Sequence, residues 1–200
     1  MKVVIIGGAG TRVPLLTNGL LRFHSDLPVE ELVLWDIDEG RQRTIARISR
    51  AMVARFDLSL KVSTPSRLEK ALADASFVIS SIRVGGTRGR ILDETIALKH
   101  QTLGQETVGA GGFALALRSL PVMLEYARKI VQQAPQAWLL NFTNPVGILS
   151  QAMIETGLGD RSIGICDTPR EQFESLAHAL NVSLDQAFFD YLGLNHLGWV

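Results

Sequence analysis

Five short runs of Val, Ile and Leu, at Val3 to Ile6, Leu32 to Trp35, Phe77 to Ile79, Trp138 to Leu140 and Ile163 to Ile165, punctuate the chain. Between them lie longer segments whose apolar residues recur at steps of three and four. A strand that is apolar at every position is buried on both faces, and parallel neighbours need a crossover, usually helical, to join them. The pattern therefore predicts an α/β fold: a doubly wound, mostly parallel sheet covered by helices on both sides. The 200 residues suffice for one such domain.

The same reading places helices between the strands. Thr64-Pro65 and Thr168-Pro169 each look like a cap followed by Pro in the first turn. Leu117, Leu120, Leu124, Ala127 and Val131 predict one buried face of a long helix. The stretch Arg83 to Gly112, with seven glycines and three arginines, reads as a functional loop with a short helical interlude near Ile91 to Leu98. Tyr191 to Val200 reads as a strand-like apolar run that stops without a polar tail, so a partner segment is expected to follow.

Composition narrows the function classes. Lys plus Arg and Asp plus Glu number 20 each, so no net field exists to attract a nucleic-acid backbone or an anionic membrane. No apolar run approaches membrane-spanning length, and the first strand begins too early for a signal segment. The single Cys166 cannot form an internal disulfide, which agrees with a reducing, cytoplasmic setting.

The first strand runs into Gly7-Gly8-Ala9-Gly10-Thr11 and then a helix from about Val13. Glycines there let the backbone turn tightly and approach a pyrophosphate, while helix-terminal amides face the anion. Val13 replaces the third glycine of the usual fingerprint, so the motif alone is weak. The second strand ends in Trp35-Asp36-Ile37-Asp38, and Asp36 stands where a carboxylate accepts hydrogen bonds from the adenosine ribose. Such a carboxylate would repel a 2′-phosphate, which favours NAD over NADP.

Further motifs occur in order: Val84-Gly85-Gly86, Asp93-Glu94, Lys99-His100, Gly104-Gln105-Glu106-Thr107, the glycines from Gly109 to Gly112, NFTNP at Asn141 to Pro145, Cys166-Asp167, and GLNHLGW at Gly193 to Trp199. Together they resemble glycoside hydrolase family four over nearly the whole chain. The resemblance implies a Rossmann-like fold akin to lactate and malate dehydrogenases. It also implies NAD, a divalent metal, typically manganese, and a redox-assisted elimination that departs from two-carboxylate glycoside hydrolysis. Hydride would leave C3 of a 6-phospho-glucoside, a base would take the C2 proton, the C1 substituent would depart, water would add, and hydride would return.

Roles follow from the resemblance. Cys166 and His196 would be the metal ligands, each just past a predicted strand, Ser162 to Ile165 and Phe188 to Leu192, at the carboxyl edge of the sheet. Asn144 would bind a sugar hydroxyl and Arg90 the sugar phosphate, with Arg83 and Arg88 weaker candidates. Glu106 is expected near the metal or the nicotinamide. Asp167 would be an acid for the leaving group, or else a helix cap. Asn141 fits a turn role, and Arg41, Arg43, Arg47 and Arg50 a solvated helix face.

The run Cys166-Asp167-Thr168-Pro169 matches neither the α- nor the β-type pattern of the family, while the ending DYLGLNHLGWV is closer to the β-specific members. The expectation is therefore a 6-phospho-β-glucosidase, with the α-specific activity as the alternative. The family's catalytic Tyr would follow residue 200, and Tyr126 and Tyr191 read as packing groups. Residues 1–200 are then an NAD-binding domain ending where a substrate domain begins, expected to turn over slowly or not at all by itself, and the family suggests a homo-oligomer. Two readings compete: a metal-free NAD-dependent 2-hydroxyacid dehydrogenase, and a non-catalytic NAD-binding domain.

Overall fold

The computed structural model describes residues 1–56 and 58–200. Six strands, β1 (Lys2–Ile6), β2 (Glu31–Trp35), β3 (Lys61–Ser63), β4 (Phe77–Ser80), β5 (Trp138–Asn141) and β6 (Ser162–Gly164), form one sheet in the order β3-β2-β1-β4-β5-β6. Every pairing is parallel. The strand order reverses between β1 and β4, and ligands in such sheets bind outside the carboxyl ends of the strands at that switch point.

Alternation along the strands sorts the core into two layers. Val3 and Ile5 of β1 face one side with Leu32 and Leu34 of β2. They pack under α1 (Val13–Arg22) and α2 (Glu39–Phe56) through Val13, Leu21, Ala46 and Val53. Val4 and Ile6 face the other side with Val78 and Leu139. That layer is closed by α3 (Leu68–Leu72), α5 (Gly109–Gln133) and α6 (Val146–Met153), through Leu72, Met123, Ile130 and Leu149. The period of two that separates the layers is the geometric reason an all-apolar strand is stable here.

The five strands predicted from the apolar runs are all present, whereas Phe188 to Leu192, also predicted as a strand, lies outside any strand up to Leu192; β3, with a single buried residue in three, carried too little pattern to be seen. Several other expectations are corrected. Thr64-Pro65 does not open a helix, because α3 starts at Leu68. Pro169 does lie in the first turn of α7 (Thr168–Leu180), but Thr168 is its first residue and not its cap. The long helix exists, but its buried face is centred on Leu115, Ser119, Met123, Ala127 and Ile130, and Leu117 is exposed. Leu120, Leu124 and Val131 of the predicted stripe are partly buried at the edge of that face, about one residue out of step with its centre.

The segment read as a loop is mostly helical: α4 (Gly86–Lys99) fills its first half and α5 begins at Gly109, leaving only residues 100–108 between them. The last segment is not one strand. Leu192–Leu194 (β7) and Leu197–Trp199 (β8) pair antiparallel as a small separate hairpin, so His196 sits in its turn and not at the end of a strand of the main sheet. Among the described residues no helix is long and apolar enough to cross a membrane.

Candidate active site

The carboxyl ends of β1, β2, β4, β5 and β6 open into a cleft of about 1310 Å³. Pockets for one small molecule usually span ~300–1,000 Å³, so this cleft has room for more than one ligand. Gly7, Gly10, Thr11, Asp36, Arg90, Glu106, Asn144, Cys166, Asp167 and His196 all line it. Gly8 is buried behind the wall; a Cβ there would meet Trp35 N at 2.7 Å.

At one end the chain turns sharply after β1. The Gly7 and Gly8 amides both donate to Trp35 O, at 3.0 and 2.9 Å, and Gly10 N–H donates to Gly7 O. Gly7 has φ +99, and a Cβ would fall 2.1 Å from Ser81 O, so only glycine fits. Asp36 fastens this turn to β2: its Oδ2 accepts from Ala9 N–H and its Oδ1 from Asp38 N–H, each at 2.9 Å. The amides of Thr11 and Arg12 make no hydrogen bond among the described residues. They lie just ahead of α1 and could receive an anion. Arg41, expected on a solvated helix face, also lines this end of the cleft. Tyr126 packs edge-on against Trp35 with centroids 5.7 Å apart, a packing role as expected.

At the other end, Cys166 Sγ lies 3.4 Å from His196 Nε2. Thr168 Oγ1 is 3.4 Å from the sulfur and 3.5 Å from the same ring nitrogen. The opposite ring nitrogen, Nδ1, is 3.4 Å from Gln105 Nε2. Bonds of ~2.3 Å to sulfur and ~2.1 Å to imidazole at 90–110° would set the two donors about 3.1–3.6 Å apart, so the pair fits a shared divalent cation. No cluster of three or more His, Cys, Asp or Glu completes a cage among the described residues. The remaining positions would fall to Thr168, substrate oxygens or water. His196 has φ +59, a left-handed conformation unusual for a side chain of this size, which turns its ring back toward the sulfur.

Gln105, within the motif Gly104-Gln105-Glu106-Thr107, joins the start of α5 to His196. Its Oε1 accepts the N–H groups of Thr107 and Val108, the latter at 2.8 Å, which holds the turn just ahead of α5 and leaves the amide nitrogen facing His196. Gly111 and Gly112 permit this: a Cβ on either would meet the backbone of Gln105 or Thr107 within 2.5 Å. The glycine run that looked like loop is the first turn of α5 pressed against the segment 105–107.

Beside it, Glu106 accepts a forked pair of bonds from Arg83, Nε at 2.6 Å and Nη2 at 3.2 Å. Arg90 Nη1 is 3.7 Å away, and Arg90 Nε binds Glu94 at 2.8 Å. Burial alone would raise the Glu106 pKa, but hydrogen bonds and charge from Arg83 and the charge of Arg90 outweigh it. The carboxyl is held below its ordinary range and is ionised at neutral pH. Arg83, ranked behind Arg90 from sequence, thus makes the closer contact. Arg88 is not among the lining residues.

Asn144 follows β5 at a cis bond to Pro145. The turn is shaped by buried Asn141, whose Oδ1 accepts Thr143 N–H at 3.1 Å, as its neighbour's role required. Asp167 occupies the position before α7 but makes no side-chain cap; its Oδ2 instead pairs with Arg12 Nη1 at 2.5 Å.

Comparison with known proteins agrees with this geometry. The model of the family 4 glycosyl hydrolases matches residues 2–182. A probable 6-phospho-beta-glucosidase of Bacillus subtilis is 37% identical over 199 residues, covering 98% of this chain and 45% of its own. The crystal structure of a 6-phospho-alpha-glucosidase from gut microorganisms in complex with NAD and Mn2+ superposes with a TM-score of 0.91 at 37% identity, over 99% of this chain and 45% of that one. The 6-phospho-beta glucosidase of Thermotoga maritima with NAD and glucose-6-phosphate gives 0.90 at 35% identity, over 99% and 47%. A malate dehydrogenase of Salinibacter ruber (0.65, 16% identity) and a lactate dehydrogenase of Eimeria maxima (0.67, 18%) share the fold alone. The chain spans about half the length of the curated relatives it matches, and it belongs to the family 4 glycosyl hydrolases.

Proposed function

We propose that this chain is the dinucleotide-binding portion of a 6-phospho-β-glucosidase that uses NAD and manganese to break the glycosidic bond by oxidation at C3, deprotonation at C2 and elimination. The observation that carries the proposal is the meeting of Cys166 and His196 in the same cleft as the glycine turn and Asp36. When bound, NAD supplies a reversible electron sink for C3, and the cation polarises the C2 and C3 oxygens.

The chain's own residues supply the rest. The free amides of Thr11 and Arg12 receive the pyrophosphate, and Asp36 faces the adenosine ribose. Cys166 and His196 hold the cation. Asn144 hydrogen-bonds a sugar hydroxyl, and Arg90 takes the sugar phosphate. Glu106, fixed as a carboxylate, keeps Arg83 and Arg90 on one side of the cleft. Asp167 stands next to the cation pair, where a carboxyl released from Arg12 can take up a proton and pass it to the leaving group. Residues 1–200 form one dinucleotide-binding domain of a cytoplasmic protein, since its phosphorylated substrate and NAD are both intracellular, and the family resemblance suggests that it acts as a homo-oligomer.

Relatives of both anomeric types stand at similar identity, so the β assignment rests on the DYLGLNHLGWV ending. Incubation of a longer chain spanning the full length of its relatives with NAD, Mn2+ and paired α- and β-nitrophenyl 6-phosphoglucosides tests it, since the 200 residues alone are expected to turn over slowly or not at all. Release from the β substrate without net NADH is expected. Release from the α substrate alone would reverse the anomer, and metal-free net NADH formation from a 2-hydroxyacid would make the protein a dehydrogenase instead. NAD binding with no turnover of either glucoside would leave a non-catalytic nucleotide domain.

A further inference from the structure

Arg12 is placed unlike an ordinary surface arginine. It is the residue immediately before α1, at the end of the glycine turn, and its backbone N–H is unpartnered among the described residues. Its side chain crosses the cleft to Asp167 Oδ2, 2.5 Å away and 155 positions along the chain. On the way its guanidinium carbon lies 5.1 Å over the ring of Phe142, just past β5. The two partners are 55% and 39% exposed, too open to the cleft for the pair to act chiefly as a structural strut. Arg12 therefore joins the nucleotide end of the cleft to the turn that carries Cys166.

A guanidinium offers five N–H groups in a rigid fork, and the contact with Asp167 is made through Nη1, leaving Nε and Nη2 for a second oxyanion. The Phe142 ring holds the fork's plane, which lowers the conformational cost of a second contact. The nearest place for such an anion is the glycine turn on which Arg12 itself sits.

We infer that Arg12 is a shared cation of the cleft, contacting the pyrophosphate of a bound dinucleotide while it holds Asp167, so that occupancy of the nucleotide end and the position of the Cys166–Asp167 turn are energetically coupled. The inference rests on the proposed binding of NAD. Asp167 and the pyrophosphate draw on one positive charge, so weakening either claim strengthens the other, and the coupling is reciprocal.

A mutant cycle read by calorimetric titration with NAD, and with adenosine as a ligand lacking pyrophosphate, tests this on the full chain. Arg12→Gln should weaken NAD about tenfold, the scale of one charge-assisted hydrogen bond, and leave adenosine unchanged. Arg12→Lys should recover part of the loss, since the charge returns without the fork. Asp167→Asn should tighten NAD by roughly threefold while Arg12 is present and change nothing in the Arg12→Gln background. An Arg12→Gln protein that binds NAD like the wild type, or an Asp167→Asn effect that persists without Arg12, would overturn the inference while leaving NAD binding intact. Wild-type protein that fails to bind NAD would bring down the proposed function and the inference with it. Should Arg12→Gln not fold, the Arg12→Lys and Asp167→Asn titrations decide alone.

Discussion

The sulfur of Cys166 and the Nε2 of His196 stand 3.4 Å apart although 30 positions separate them, and they reach each other from different elements, the end of β6 and the turn of the β7–β8 hairpin. The hairpin turn leaves His196 at φ +59, a conformation that glycine or asparagine adopts at lower cost. A thiol and an imidazole can also pair with each other directly; under the proposed function the ligand they share is the cation.

Cys166→Ser and His196→Gln are each expected to weaken Mn2+ binding by about 100-fold or more, since loss of a mere supporting contact to a metal ligand already costs ~10–100-fold. Electron paramagnetic resonance of free Mn2+ measures the affinity without any turnover. Substitution with Co2+ adds a second signature, a sulfur-to-metal absorption band that Cys166→Ser should erase. A wild-type Co2+ complex with no such band would remove Cys166 from the ligand set.

Glu106 makes stability depend on pH in a defined direction. Its folded pKa is depressed, with burial opposing and the hydrogen bonds and charge of Arg83 prevailing. The stability it contributes is therefore complete above its unfolded value of about 4.3 and is lost as the pH falls through the lower folded value. Glu30, Glu31 and Glu69 are depressed as well, so the wild type should lose stability in acid for several reasons. The share of Glu106 is the difference between wild type and Glu106→Gln in urea unfolding, expected near neutral pH and shrinking as the pH falls below about 4.3 and through the lower folded value. A difference that stays constant over that range would mean that Arg83 and Glu106 do not pair in solution.

Much of the fold was legible because a doubly wound sheet writes its strands as unbroken apolar runs, and β1, β2, β4, β5 and β6 all do so. Helix α4 was not legible: Ile91, Leu92, Ile96 and Leu98 are all exposed, so its apolar residues mark no single buried face. Gly109 to Gly112 looked like loop because the reason for small residues, contact with Gln105 and Thr107, lies in a neighbouring segment. In the site, the residues tied to motifs came together in one cleft. The contacts that orient them, Arg12 on Asp167 and Gln105 on His196, join positions 155 and 91 apart and leave no trace in local spacing.

Two glycines in neighbouring elements should respond in opposite ways to alanine. Gly7→Ala would put a Cβ 2.1 Å from Ser81 O at φ +99, which no side-chain movement relieves. A loss of about 3 kcal/mol or more, or failure to fold, is expected from strain and overlap together. Gly19 lies within α1 with nothing within 4 Å of its Cβ position. Gly19→Ala should instead stabilise by about 0.5–1 kcal/mol through helix propensity. Thermal unfolding of the two variants checks both signs, and a tolerated Gly7→Ala would mean that the turn after β1 can relax away from β4.

Arg118 and Asp93 form the most enclosed ion pair of the chain's helical layer, and its removal should be costly for a reason unrelated to ligands. Arg118 of α5 reaches both carboxylate oxygens of Asp93 on α4, at 2.5 and 3.2 Å, and its Nε donates to Val84 O at 2.9 Å. The Asp93 side chain is 8% exposed and that of Arg118 29%. One residue thus ties α4, α5 and the segment before Gly85 together, and the segment it ties down also carries Arg83. Asp93→Asn leaves the guanidinium enclosed without its counter-charge, a defect expected to cost roughly 2–4 kcal/mol. The Arg170–Glu174 pair on α7 has the same chemistry but is 73% and 50% exposed, so Glu174→Gln should cost less than about 0.5 kcal/mol. Urea unfolding at neutral pH compares them directly. Equal costs would show that the Arg118 pair is solvated in solution, and that the placement of Arg83 beside Glu106 depends on something other than this tie.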